Sequence, residues 1–213
     1  QAEDGIRDRS PSRGLGDVYK RQVLALLAAT AVGLGTGLWW HQHRAQTANP
    51  YAHLGGDFTL ASADGPVSLS DFRGQAVMLF FGYTTCPDVC PMDLAKISAV
   101  INRFSEAKAR QVAGLFVSVD TERDTPERTT EYAAFFHPRI TGVSGSAQAV
   151  DAVAKQYYVL YQKVEDPGSA LGYTVDHSAT TYLIGPKGNI RQLLKHDSTV
   201  DEMTDAVRTV LAG

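Results

Sequence analysis

An α/β domain built on a mixed sheet with helices on both faces is predicted from three observations. Short apolar runs alternate with helically spaced segments from about residue 55 onward. A turn-linked pair of strands and a final helix close the second half. Both cysteines of the protein stand where one strand gives way to a helix.

The 213 residues are 44% apolar, enough for one sizeable domain and an appendage. A net charge of −3 leaves no basic footprint for nucleic acid. From Tyr51 onward 14 Lys and Arg face 19 Asp and Glu, so the folded part is mildly acidic. Two cysteines cannot define a disulfide-rich scaffold; their closeness points to redox or metal chemistry.

Residues 1–22 carry no apolar periodicity. The run from Asp4 to Gln22 resembles translated sequencing-adapter read-through, with a disordered tail as the alternative, and is set apart from the fold. Residues 23–40 are uncharged and as a helix would reach about 27 Å, near the hydrocarbon thickness of a bilayer. Lys20 and Arg21 precede the run, and Trp39 and Trp40 close it as interfacial aromatics often do. A transmembrane anchor over 23–40 is expected, with a cleaved signal peptide as the alternative. Residues 41–54 read as a polar linker carrying Pro50, and residues 55–213 as the folded domain.

The domain opens with Phe58-Thr59-Leu60 and Val67-Ser68-Leu69 around an Asp64-Gly65 turn, a small hairpin. Val77 to Phe81 is a buried strand closed by Gly82. After Pro91, Leu94, Ile97, Ile101 and Phe104 recur at helical spacing. Val112 to Val119 is a second buried strand ending at Asp120. A helix over Thr125 to Phe136 starts at Thr125-Pro126 and stops before Pro138. Ile140 to Val143 is a short strand, and Ser146 starts a helix burying Val150, Val153, Ala154, Tyr157 and Tyr161. Strands at Thr180–Ile184 and Ile190–Leu194 flank a Gly-Pro-Lys-Gly-Asn turn. The last helix begins with the capping box Thr199 to Glu202 and buries Met203, Ala206, Val207, Val210 and Leu211. With paired cysteines at a strand–helix junction, this order is the layout of a thioredoxin-like domain.

Cys86 and Cys90 are four apart, so a helical turn stacks them on one side. The unpaired N–H groups and positive dipole end of a helix start favour thiolate over thiol. The bland alternative is a structural disulfide or two buried thiols. Of the domain's histidines, His53, His137 and His196 sit in polar or end positions. His177, in Val175-Asp176-His177-Ser178, leads into the Thr180–Ile184 strand. In a thioredoxin-like fold the loop before that strand faces the cysteines. Two thiolates and one imidazole suit Cu(I), and Cu(II) with an added oxygen ligand, whereas structural zinc normally takes four protein ligands. Asp120 and Asp176 are candidates for orienting such a site, Asp120 equally for capping a strand end. Met92 offers a thioether, with a core or rim role as the alternative.

Phe81-Gly82-Tyr83-Thr84-Thr85-Cys86-Pro87-Asp88-Val89-Cys90-Pro91, Val119 to Glu127, Val175-Asp176-His177 and Tyr182 to Pro186 together resemble the Sco/SenC family. The resemblance covers about residue 55 to the end. It implies a membrane-anchored, thioredoxin-like copper chaperone that helps assemble the Cu-A centre of cytochrome c oxidase. Cys86, Cys90 and His177 would be the ligands, and the cysteines a redox-active disulfide pair. It further implies the copper-bearing oxidase subunit and a thiol reductant as partners, and the membrane through the N-terminal helix. The location would be the extracytoplasmic face of a bacterial inner membrane, or the mitochondrial inner membrane as the alternative. This chain departs from many members with Thr85 in place of a histidine and Thr121 in place of a proline. A membrane-anchored thiol–disulfide oxidoreductase using the same pair is the competing reading. Three residues between the cysteines, and Thr180 where such enzymes carry a cis-proline, argue against it.

Overall fold

The computed structural model of the protein describes residues 13–47 and 49–213, which divide into two units between Ala48 and Asn49. The first unit is one helix, α1 (Arg13–Thr47). It contains the uncharged run, but the transmembrane anchor expected over 23–40 is not supported. Among the described residues no helix is long and apolar enough to cross a membrane. Nine of those 18 residues are Ala, Gly or Thr, small side chains that add little apolar area. Residues 1–12 of the expected tail lie outside the described residues, and the rest of it is helical. The expected 41–54 linker is likewise divided. Its first part continues α1, while Asn49 donates to the Ile190 carbonyl at 2.7 Å and Tyr51 and Leu54 pack on the second unit's core.

The second unit is organised by a five-stranded sheet. Strands β1 (Thr59–Ser62) and β2 (Gly65–Ser68) form the expected hairpin, followed by a 3-10 turn at Leu69–Phe72. Then come β3 (Ala76–Gly82), α2 (Val89–Asn102), the short α3 (Glu106–Ala109) and β4 (Val112–Ser118). Next are α4 (Pro126–Phe136), β5 (Ile140–Val143) and α5 (Ala147–Gln156). A second hairpin, β6 (Tyr161–Glu165) and β7 (Tyr173–His177), precedes β8 (Thr180–Ile184), β9 (Ile190–Lys195) and α6 (Val200–Ala212). The main sheet runs β5-β4-β3-β8-β9, with β3, β4 and β5 parallel and β8 and β9 antiparallel.

Every residue of β3 and β4 is buried. Successive side chains point to opposite faces, so both faces of the sheet centre are covered. Helix α2 lies against β3 and β4 and meets α4 and α6. Its Leu94, Ile97, Val100 and Ile101 are buried as their spacing predicts. Each such side chain contributes roughly 1.5–3 kcal/mol through burial. Thr125 caps α4, and the box of Thr199 and Glu202 caps α6.

The helix expected to continue from Ser146 to Tyr161 ends at Gln156, and Tyr161 instead opens β6. Tyr158 N–H bonds to the Lys155 carbonyl and Val159 N–H to that of Ala154, the paired bonds of a Schellman closure. The left-handed position of that closure, usually glycine, is filled by Tyr158 at φ 54°. The stop signal is therefore missing from the sequence, and the β6–β7 hairpin was hidden with it.

Helix α4 rides directly on β5. A Cβ added to Gly142 would fall 2.0 Å from the Thr129 carbonyl oxygen, a backbone atom that cannot turn aside. Gly142→Ala is expected to lower the unfolding free energy by about 3 kcal/mol, read by urea titration. An unchanged midpoint would contradict this close approach.

Candidate metal centre

Strand β3 ends at Gly82 for a steric reason. A Cβ there would meet Cys90 Sγ at 2.7 Å, so the glycine leaves room for the sulfur. Cys90 lies in the first turn of α2 and is fully buried, while Cys86, in the loop before the helix, is partly exposed. The Cys86 sulfur accepts the Cys90 backbone N–H at 3.5 Å and so serves one of the helix's unpaired donors. Asp88, at the N-cap position, makes no side-chain capping bond.

His177 is the last residue of β7, a strand rather than the expected loop, and reaches across to the cysteines. Its Nε2 lies 3.2 Å from Cys90 Sγ, and its Nδ1 lies 3.2 Å from the Ser178 carbonyl. A carbonyl only accepts, so Nδ1 carries the proton in that bond and Nε2 presents a lone pair. The edges of Phe80 and Tyr83 meet the ring at centroid distances of 6.0 and 5.8 Å. Cys86 Sγ, Cys90 Sγ and a His177 ring nitrogen all lie within 4.8 Å of one another.

The two sulfurs are made unequal. The hydrogen bond from Cys90 pulls the Cys86 thiol down to about 3 against its partial burial, aided by the backbone N–H groups of Asp88 and Cys90. Cys90 is pushed well above the ordinary thiol range, first by that bond to the Cys86 thiolate and then by burial. Burial, with both sulfurs nearby, also raises the Tyr83 phenol.

Of the other candidates, Asp120 is buried and bonded to Arg123 and Tyr173, away from the sulfurs. Asp176 is exposed, and its side chain makes no hydrogen bond or ion pair among the described residues. It shares with His177 a surface cleft of about 470 Å³. Met92 is 42% exposed and stands roughly 200° around α2 from Cys90, facing away. His53 is exposed, His137 Nδ1 accepts the Arg139 N–H, and His196 pairs with Asp93. Thr85 Oγ1 is buried with no hydrogen-bond partner among the described residues.

Sequence reasoning missed Asp124. Its buried carboxylate accepts the Thr84 N–H at 2.8 Å, the Thr84 hydroxyl at 2.5 Å and the Ser118 hydroxyl at 2.6 Å. It thereby ties the loop before Cys86 to the end of β4. Within the run from Val119 to Glu127 it stands out only as a charged residue just ahead of a helix start, which capping explains equally well.

The SCO1/SenC family model matches residues 46–212. The chain belongs to the SCO1/SenC family. It is 40% identical over 157 residues to Protein SCO1 homolog 1, mitochondrial, of Arabidopsis thaliana, covering 73% of this chain and 46% of that protein. The chain thus spans about half the length of that relative. It is 34% identical over 199 residues to Protein SenC of Rhodobacter capsulatus, covering 86% of this chain and 88% of that one. The crystal structure of Arabidopsis thaliana ScoI with copper bound superposes with a TM-score of 0.69 at 38% identity, covering 75% of this chain and 98% of that chain. The thioredoxin-like α/β fold expected for the family is thus the fold of the second unit.

Ultraviolet thiolate absorbance of the reduced, metal-free protein is expected to show one thiolate per chain at about pH 6. The signal should fade only as the pH falls toward about 3, where Cys86 is held. Because the depressed value belongs to the folded state, unfolding at about pH 6 should abolish the signal. Two thiols in the folded protein at that pH would contradict the asymmetry.

Proposed function

We propose that the protein is a copper chaperone that binds one copper ion through Cys86, Cys90 and His177 and delivers it to the Cu-A site of cytochrome c oxidase. The observation that carries this reading is the convergence of two sulfurs and one imidazole nitrogen within 4.8 Å. Such a soft, three-membered donor set suits Cu(I), and Cu(II) with a further oxygen donor. Copper bound in a relative of the same family supports the choice of metal.

Burial suggests how the ion is handed on. Cys90 is sealed inside, whereas Cys86 and His177 are partly exposed, His177 beside an open cleft. Donors from a recipient would replace the two accessible ligands in turn while Cys90 retains the ion until last. The Nδ1 bond to the Ser178 carbonyl keeps His177 Nε2 turned toward the sulfurs. Copper as cargo requires both sulfurs reduced. Outside the cytoplasm, where this reading places the domain, a dedicated thiol reductant must keep the pair open.

One observation favours a second role for the same residues. A thiolate that is partly exposed beside a protonated, buried thiol is the arrangement of an attacking and a resolving cysteine. Cys86 would attack a substrate disulfide, releasing one substrate thiolate and forming a mixed disulfide. Cys90 would then displace the second substrate thiolate, which leaves with the Cys90 proton as a thiol. The substrate gains two electrons, and the protein is left with a Cys86–Cys90 disulfide.

His177→Ala separates the two roles. Cu(I) affinity is expected to fall by more than the roughly 10–100-fold that loss of a supporting residue costs, with disulfide-exchange rates nearly unchanged. Competition with a Cu(I) chelator reads the first and a thiol-exchange assay the second. An unchanged copper affinity would remove His177 from the ligand set.

A further inference from the structure

The imidazole at the centre comes from a hairpin that is not part of the main sheet. Among the described residues, strands β6 and β7 pair only with each other. His177 at the end of β7 therefore depends on whatever holds that hairpin in place. At the opposite end of β7, Tyr173 meets a compact group from the segment after β4. Its hydroxyl donates to Asp120 Oδ1 at 2.8 Å, and Arg123 Nε donates to Asp120 Oδ2 at 2.5 Å. The Arg123 guanidinium lies 3.7 Å over the Tyr173 ring and donates to the Tyr173 carbonyl at 3.0 Å and that of Leu171 at 3.4 Å. Lys163 of β6 stands 4.0 Å from the same ring and pairs with Glu122 at 2.9 Å.

We propose that Asp120 and Arg123 are positioning residues for His177, acting through Tyr173 to fix the β6–β7 hairpin so that the imidazole meets the cysteine sulfurs. This rests on the reading of His177 as a copper ligand. Asp120 is buried and the Arg123 side chain is 17% exposed, so water does little to loosen the pair. The planar guanidinium serves Asp120, two carbonyls and the Tyr173 ring at once, which a lysine ammonium would not. Tyr173 and His177 are the two ends of one strand, so the latch and the ligand are connected by β7 itself.

Asp120→Asn and the milder Tyr173→Phe are tested in the full chain, alone and combined with His177→Ala. In the metal-free protein, amide exchange over residues 161–177 is expected to quicken in both variants while β3, β4 and β8 stay protected. Cu(I) affinity is expected to fall about 10-fold in Asp120→Asn and less in Tyr173→Phe. In the His177→Ala background the same changes should cost no more than about 2-fold, because the residue they act through is gone. Full effects in both backgrounds, or no effect on exchange or affinity with His177 present, would overturn the positioning role. Unchanged affinity in His177→Ala alone would overturn the ligand reading and this proposal with it.

Discussion

The Cys90 sulfur is the most constrained atom of the site, and the rest of the arrangement depends on where it sits. It occupies the space that a side chain at position 82 would take, and His177 Nε2 closes on it at 3.2 Å. Three separate parts of the fold thus meet at one buried atom: the end of β3, the first turn of α2 and the last residue of β7. A bulkier residue at 82 would displace the sulfur from its seat, and a shift of the hairpin would leave the sulfur with no nitrogen beside it. The fully buried β3 and β4 give this seat a rigid floor.

Around that seat the two cysteines are driven apart chemically. Cys86, in the loop before α2, accepts a helix-start N–H and becomes the thiolate; Cys90 takes the interior and keeps its proton. The loop carrying Cys86 is held by Asp124, and the hairpin carrying His177 by Asp120 and Arg123. Both supports come from the single stretch after β4. Neither carboxylate touches the sulfurs; each orders a segment that does.

Much of this was legible in the sequence, and what was not has physical reasons. The unbroken apolar runs of β3 and β4, the capping box at Thr199 and the cysteines at a strand–helix junction are local signals, and each marked its element. His177 was singled out by its place before β8, and it does stand beside the cysteines. The β6–β7 hairpin was not legible, because Tyr158 takes a left-handed conformation that normally announces itself as glycine. Its strands are also largely exposed, so they carry no clear apolar alternation. The role of Asp124 was hidden because its partner Thr84 lies 40 residues away. The uncharged run over 23–40 shows the reverse problem. Absence of charge suggested a membrane span, while the small side chains within it supply little apolar area.

X-ray absorption at the copper edge tests the central claim most directly, using the full chain reduced and loaded with one equivalent of Cu(I). The expected result is one copper per chain in a three-coordinate shell of two sulfurs and one imidazole nitrogen. Scattering from sulfur alone, or a nitrogen contribution that persists unchanged in His177→Ala, would show that Cys90 and His177 do not share the ion.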